Sequence, residues 1–389
     1  MKIGLINVRY SPNLGDGLLA ECLEAELSKQ LGDARIVTAD LAGRTGYVAG
    51  NPWRGAMIRL LLAMPAPIRK TLTRFMLSRL ARRLRPRFRE LLSDCDVVVL
   101  GGGNLLADSD LNFPMKIAAA LESTPHQMPL AVYAVGASRN WSAKGAKLFE
   151  RAFASCHVIL ASVRDDLSRG ALAEQMPSIA ENQIHLVKDP GLLAARHYPR
   201  AEPSQKIGIC VTDPFLLRYH GGTGANDTVA SWIEDLTKGL AQSGHQVEFF
   251  TNGSPEDVQF LNSHYQRWLA AAPDKVSISR KAEDPSGLMR IISSYSLIIA
   301  HRMHACIAAY SYGIPVIGLT WDPKLSAFFD LAGMSDCLFS TESSNPKDVA
   351  TKVESLLLTG LDHDAHRTLL DHAANDVSLL AERLKTKCS

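Results

Sequence analysis

Arg302 and His304, in the run His301-Arg302-Met303-His304, and Lys324, in Trp321-Asp322-Pro323-Lys324, are the side chains best suited to handling a phosphate or carboxylate. A guanidinium grips an oxyanion with two prongs, an ammonium supplies a compact charge, and an imidazole moves protons near neutral pH. The intervening sequence explains why the three should meet. Ser296 to Ala300 reads as a buried strand, Met303 to Tyr312 as a helix, Pro315 to Leu319 as the next strand, and Pro323 onward as another helix. This is a βαβ unit, and its right-handed crossover makes the strands parallel, so the loops leaving their carboxyl ends open on one edge of the sheet.

The helix starts carry a further signal. Asp322 is placed to cap exposed backbone donors, and Pro323, which has no N–H, suits the first helical position. Lys324 then stands in the first turn, and Arg302 at the start of the preceding helix. A cation there opposes the positive end of the helix dipole unless an anion comes to meet it. Two such cations at converging N-termini point to a small, multiply anionic ligand; the competing reading is a pair of solvated surface charges. His301 either faces the same cleft or is structural, and Cys306 is expected in the core.

Strands alternate with helices along the whole chain. They are expected near Lys2–Asn7, Arg35–Thr38, Asp96–Leu100, Leu130–Val135, His157–Ala161 and Gln183–Val187. After the polar, proline-bearing break at 199–204, further strands follow near Lys206–Val211, Gln246–Phe250, Lys275–Ile278, Ser296–Ile299, Pro315–Leu319 and Cys337–Phe339. The 389 residues exceed what one core usually supports. The expectation is an α/β protein of two Rossmann-like, doubly wound domains, 1–200 and 201–389, with a ligand cleft between them. The stretch from Leu361 to Ser389 looks helical, with a pattern compatible with a return to the first domain.

From the first domain, Asn13-Leu14-Gly15-Asp16-Gly17 follows the first strand, and Val97-Val98-Val99-Leu100 runs into Gly101-Gly102-Gly103-Asn104. Glycines at a strand's carboxyl end allow close backbone approach to a ligand, or simply a tight turn. Position 106 is Leu where a dinucleotide fingerprint needs its third glycine, and no Walker A sequence occurs, which disfavours nicotinamide and P-loop chemistry. The net charge of +2 gives no global case for nucleic acid, and seven scattered cysteines form no CxxC or zinc spacing, which suits a reducing cytosol. No metal site and no resident cofactor are expected.

Read in order, Asn13-Leu14-Gly15-Asp16, Gly101-Gly102-Gly103 with Asp108, Ser162-Val163-Arg164-Asp165 with Ser168, Asp189-Pro190, and Arg302-Met303-His304 with Asp322-Pro323-Lys324 make a chain that resembles the polysaccharide pyruvyltransferase family. The resemblance spans roughly residues 3 to 330. It implies a GT-B-like fold and transfer of pyruvate from phosphoenolpyruvate to a saccharide as a cyclic ketal. By matching position it implies that Arg302 and Lys324 serve the donor and His304 is the acid/base group. Arg164, also a cation at a helix start, is a further donor candidate beside His301. Asn13, Gly15, Asp16, Gly101, Gly102, Gly103 and Asn104 are candidates for acceptor or cleft loops; Asp16 binds sugar hydroxyls or stabilises its helix, and Asp108 and Asp189 are expected to order loops. A nucleotide-sugar glycosyltransferase and a non-catalytic saccharide-binding protein are the alternatives, since the same architecture serves both.

Residues 54–89 stand apart. Arg59, Arg69, Lys70, Arg74, Arg79, Arg82, Arg83, Arg85 and Arg87 have only apolar or small residues between most of them, and Ile68, Leu72, Phe75, Met76, Leu80 and Leu84 recur at three- or four-residue spacing. The expectation is a helix with one apolar stripe and a basic opposite face. It either packs on the sheet with its charges in water or meets an anionic membrane surface. The latter would suit a lipid-linked acceptor at the inner face of the cytoplasmic membrane. No recognition motif or stacking platform for nucleic acid accompanies the charges.

Overall fold

A computed structural model describes residues 1–47, 60, 64–214 and 226–388. Residues 54–59 of the basic segment, Arg59 among them, lie outside the described residues. Among the described residues twelve strands form two six-stranded sheets in which every neighbouring pair is parallel. The first holds β1 (Lys2–Asn7), β2 (Arg35–Asp40), β3 (Val97–Gly101), β4 (Met128–Val135), β5 (Cys156–Val163) and β6 (Ile184–Leu186), in the order β2-β1-β3-β4-β5-β6. The second holds β7 (Lys206–Cys210), β8 (Gln246–Phe250), β9 (Val276–Ile278), β10 (Leu297–Ala300), β11 (Val316–Leu319) and β12 (Leu338–Phe339), in the order β12-β11-β10-β7-β8-β9. All twelve expected strands are present, shifted by a residue or two at their ends.

Continuous apolar runs make the central strands. A parallel strand covered by helices on both faces has no wet side, so Val97–Gly101 and Leu297–Ala300 are buried throughout. The pleat still sorts side chains by parity. In β3, Val97 and Val99 join the larger core, which continues into the second sheet, while Val98 and Leu100 join a separate core on the other face.

The helix His363–Cys388 crosses back onto the first domain. Its buried Val377, Leu380, Ala381 and Leu384 fall at helical spacing. Its polar edge is tied down by Gln30 Nε2 donating to Ser378 Oγ (2.8 Å), by the Lys188 amide donating to Asp376 (2.7 Å), and by Lys385 Nζ donating to the Gln30 carbonyl (3.1 Å).

The basic segment forms the helix Ala66–Leu92, but not with one apolar stripe. Ala81, Leu84, Phe88 and Leu92 are buried, whereas Ile68, Leu72, Phe75 and Met76 are exposed. Each four-residue step overshoots a full helical turn by about 40°. The series Met76, Leu80, Leu84, Phe88 therefore winds from the solvent side to the core side, and the apolar residues of the first turns are left outside.

Candidate active site

Each sheet reverses its winding once, between β1 and β3 in the first and between β7 and β10 in the second. Crevices beyond the carboxyl ends of strands at such points are where open α/β sheets take ligands. The two switch points face each other across a cleft of about 730 Å³ lined by Asn13, Asp16, Asn104, Arg164, Arg302, His304 and Lys324, among others. Local sequence aims these groups. The Asn13 side chain caps the helix Leu14–Leu31 by accepting from the Gly15 amide (3.4 Å), and the Leu14 amide donates across to the Asn252 carbonyl (2.8 Å). Asp322 caps the helix Pro323–Leu331 by accepting from the Lys324 amide (2.8 Å), as its position suggests.

Arg302 precedes the helix Met303–Ser311 and does not stand free. Its Nε (3.0 Å) and Nη2 (2.6 Å) both donate to Asp257 Oδ2, and Asp257 Oδ1 accepts from the Asp213 amide (2.9 Å). Asp257 is fully buried at the start of the helix Pro255–Ala271. Burial pushes its carboxyl above the usual range while Arg302 and the Asp213 amide pull it back; three converging N–H donors are the environment of a carboxylate. For Arg302, burial pulls the guanidinium down and Asp257 more than offsets it, with Asp16 adding to the rise. The expected two-pronged grip on a ligand is thereby corrected. One edge of the fork is committed to Asp257, and Nη1 makes no hydrogen bond among the described residues.

His304 sits two residues further along, in the first turn of that helix. Its Nε2 lies 3.4 Å from Arg164 Nη1 and 4.0 Å from Asp189 Oδ2, and Arg164 Nη1 donates to that same Asp189 oxygen (3.1 Å). Burial holds the imidazole below its ordinary pKa; Asp189 works against that, and Arg164 with it. Neutral imidazole is thereby favoured. Gly15 makes this packing possible, because a Cβ there would stand 2.7 Å from His304 Cβ and 2.8 Å from Nδ1.

Lys324 reaches across the cleft, its Nζ donating to Asn104 Oδ1 at 2.5 Å. Burial and then Arg164 pull its pKa down to about 8, against Asp322 and Asp165. Part of the ammonium population is thus neutral just above physiological pH.

Other expectations are corrected. His301 does not line the cleft. It is 1% exposed, burial pulls its pKa down to about 3, and its carbonyl accepts from Trp321 Nε1 (2.6 Å). Gly101, Gly102 and Gly103 lie behind the lining. Gly102 and Gly103 have φ of +76°, and their backbones bond to Tyr133 and Gly136, so they turn the chain and bring the following Asn104 to the cavity. Asp108 orders a loop, accepting from the Leu111 amide and from Ser142. Asp189 does more than that, since it links Arg164 and His304. Asp257 carried no sequence signal beyond that of an ordinary acid in a first helical turn.

The sequence matches the family described as polysaccharide pyruvyl transferase over residues 13–323, most of the chain. No curated protein is detectably similar in sequence. Among solved structures, UDP-GlcNAc 2-epimerase from Neisseria meningitidis bound to UDP-GlcNAc is similar at a TM-score of 0.53 and 12% identity, covering 99% of this chain and 100% of that one. The UDP-GlcNAc 2-epimerase of Methanocaldococcus jannaschii, in complex with UDP-GlcNAc and UDP, gives 0.53 and 13%, covering 95% of this chain and 99% of that one. At such identities the likeness is one of fold: two α/β domains in the GT-B-like arrangement.

Proposed function

The chain belongs to the polysaccharide pyruvyl transferase family, a family of transferases, and from that premise we propose that it takes pyruvate from phosphoenolpyruvate and installs it on a saccharide as a cyclic ketal. The reaction protonates the methylene carbon of the donor, adds one sugar hydroxyl at the neighbouring carbon, expels phosphate and adds the second hydroxyl. Of the two hydroxyl protons, one ends on the new methyl group and the other on phosphate. No resident cofactor enters this scheme.

The supporting observation is that Arg302, His304 and Lys324, from two separate helix starts of the second domain, line one cleft opposite Asn13, Asp16 and Asn104 of the first. In this reading Lys324, Arg302 and Arg164 meet the donor's phosphate and carboxylate. An imidazole kept neutral by burial gains proton affinity when that multiply anionic donor arrives beside it, and so becomes the acid that protonates the methylene carbon. Asp16, which lines the cleft from the first domain, faces the acceptor hydroxyls. The acceptor is a saccharide, in our reading carried on a lipid at the inner face of the cytoplasmic membrane during cell-surface polysaccharide assembly.

Incubation with phosphoenolpyruvate and a panel of free and lipid-linked glycosides tests this, following inorganic phosphate and product mass together. Phosphate release matched by a ketal mass gain is the expected result. Thermal stabilisation by nucleotide sugars but not by phosphoenolpyruvate would sink the reading and favour a glycosyltransferase.

A further inference from the structure

The helix Ala66–Leu92 presents two unlike halves. Its C-terminal half is anchored by buried Ala81, Leu84, Phe88 and Leu92, by Arg85 paired with Glu122 (2.6 Å), and by Arg87 Nη1 donating to the Gly43 carbonyl (2.7 Å). Its N-terminal half leaves Ile68, Leu72, Phe75 and Met76 exposed at 58%, 37%, 54% and 44%. At about 100° per residue these four fall in one arc, on the side opposite Ala81, Leu84 and Phe88. Exposed Arg79, Arg82 and Arg83 continue the same outward side, and the Arg79 guanidinium lies 5.4 Å from the Phe75 ring centroid. Between positions 66 and 89 the sequence holds nine cations and no acid.

We infer that this outward face docks on an anionic lipid bilayer, with the apolar residues entering the headgroup boundary and the arginines meeting lipid phosphates. A solvated face needs no cluster of large apolar side chains. Their combination with unopposed cations on one side matches an interfacial amphipathic helix. The face also adjoins the cleft, because Arg69 Nε pairs with Asp110 (3.3 Å) and Asp110 lines the cavity on the first-domain side. Docking would bring that side of the cleft to the bilayer, where a lipid-carried acceptor emerges. That purpose rests on the proposed function; the docking itself does not.

The test is sedimentation of the full chain with phosphatidylcholine vesicles and with vesicles containing phosphatidylglycerol, without donor or acceptor. Binding should occur to the anionic vesicles only and weaken with salt. The triple variant Arg79→Ala, Arg82→Ala, Arg83→Ala and the double variant Phe75→Asp, Met76→Asp should each lower the partition coefficient by at least about tenfold. Both alter exposed side chains, so an unchanged melting temperature checks the fold, and phosphate release with a soluble glycoside should match the parent. Failure of the parent chain to bind anionic vesicles, or equal binding by folded variants, overturns the proposal. Failure of pyruvyl transfer would leave the sedimentation result standing.

Discussion

Lys324 and Asn104, 220 residues apart in the chain, are joined by a 2.5 Å hydrogen bond that spans the cleft between the two sheets. The bond ties a side chain at a helix start of the second domain to the loop after β3 of the first. A donor anion would compete with Asn104 for the same proton-bearing nitrogen.

With its pKa pulled down to about 8, Lys324 is charged below that pH and loses its charge above it. If the ammonium binds the donor, kcat/KM for phosphoenolpyruvate falls as pH rises through 8, because kcat/KM reports the free enzyme. Lys324→Arg should move that alkaline limb upward by about two units or more, since a guanidinium stays charged. Lys324→Ala should weaken donor binding roughly ten- to a hundredfold. A pH profile identical in the arginine variant would remove Lys324 from the donor site.

His304→Ala should lower turnover by about 10²–10⁴-fold while leaving the melting temperature near that of the parent, the usual range for a positioned acid or base. Gly15→Ala is the subtler probe. Its new methyl would overlap His304 Cβ and Nδ1, and a displacement of the imidazole by a fraction of an ångström should cost on the order of tenfold in kcat. Single-turnover phosphate release measures both, and full activity in His304→Ala would end its assignment as the acid.

Asp257 anchors Arg302 from beneath. Asp257→Ala leaves the guanidinium buried without its partner, so we expect a loss of about 3–5 kcal/mol in urea unfolding. Donor affinity should fall with it. Because the carboxylate acts through Arg302, the Asp257→Ala, Arg302→Ala double variant should bind donor no worse than Arg302→Ala alone. Additive losses would mean that Asp257 reaches the donor by another route.

His301 predicts the acid limb of stability. Its folded pKa lies near 3, below the unfolded value of about 6.5. The unfolded chain therefore takes up a proton that the folded one refuses, and stability present above pH 6.5 declines as pH falls toward 3. The limiting slope for one proton is about 1.4 kcal/mol per pH unit. Urea melts at pH 7 and pH 5 should show this decline in the parent and a shallower one in His301→Gln. An equal decline in both would place the acid sensitivity elsewhere.

Local pattern carried much of this protein. Hydrophobic runs marked the central strands, such as Val97–Gly101 and Leu297–Ala300, because a parallel strand buried on both faces writes its burial directly into composition. Asp322, Pro323 and Lys324 announced a helix start, since capping involves only neighbours in sequence. The family motifs included Asp16, Arg164, Arg302, His304 and Lys324, which line one cleft, whereas two other groups of candidates lie behind it. His301 and Arg302 are adjacent in sequence, yet a half-turn of backbone sends one into the core and the other to the cavity. Gly101 to Gly103 mark the turn that presents Asn104 and lie behind the lining themselves.

What required the folded chain were the partnerships. Asp257 with Arg302, Asp189 with both Arg164 and His304, Gly15 against His304, and Asn104 with Lys324 join residues from 25 to 289 positions apart. Periodicity reports which way a side chain faces from its own helix or strand, and it is silent on what stands opposite. The opposing group depends on how two sheets and their crossing helices settle against each other, and so do the burial and charge balance that set the proton affinities of His301, His304 and Lys324.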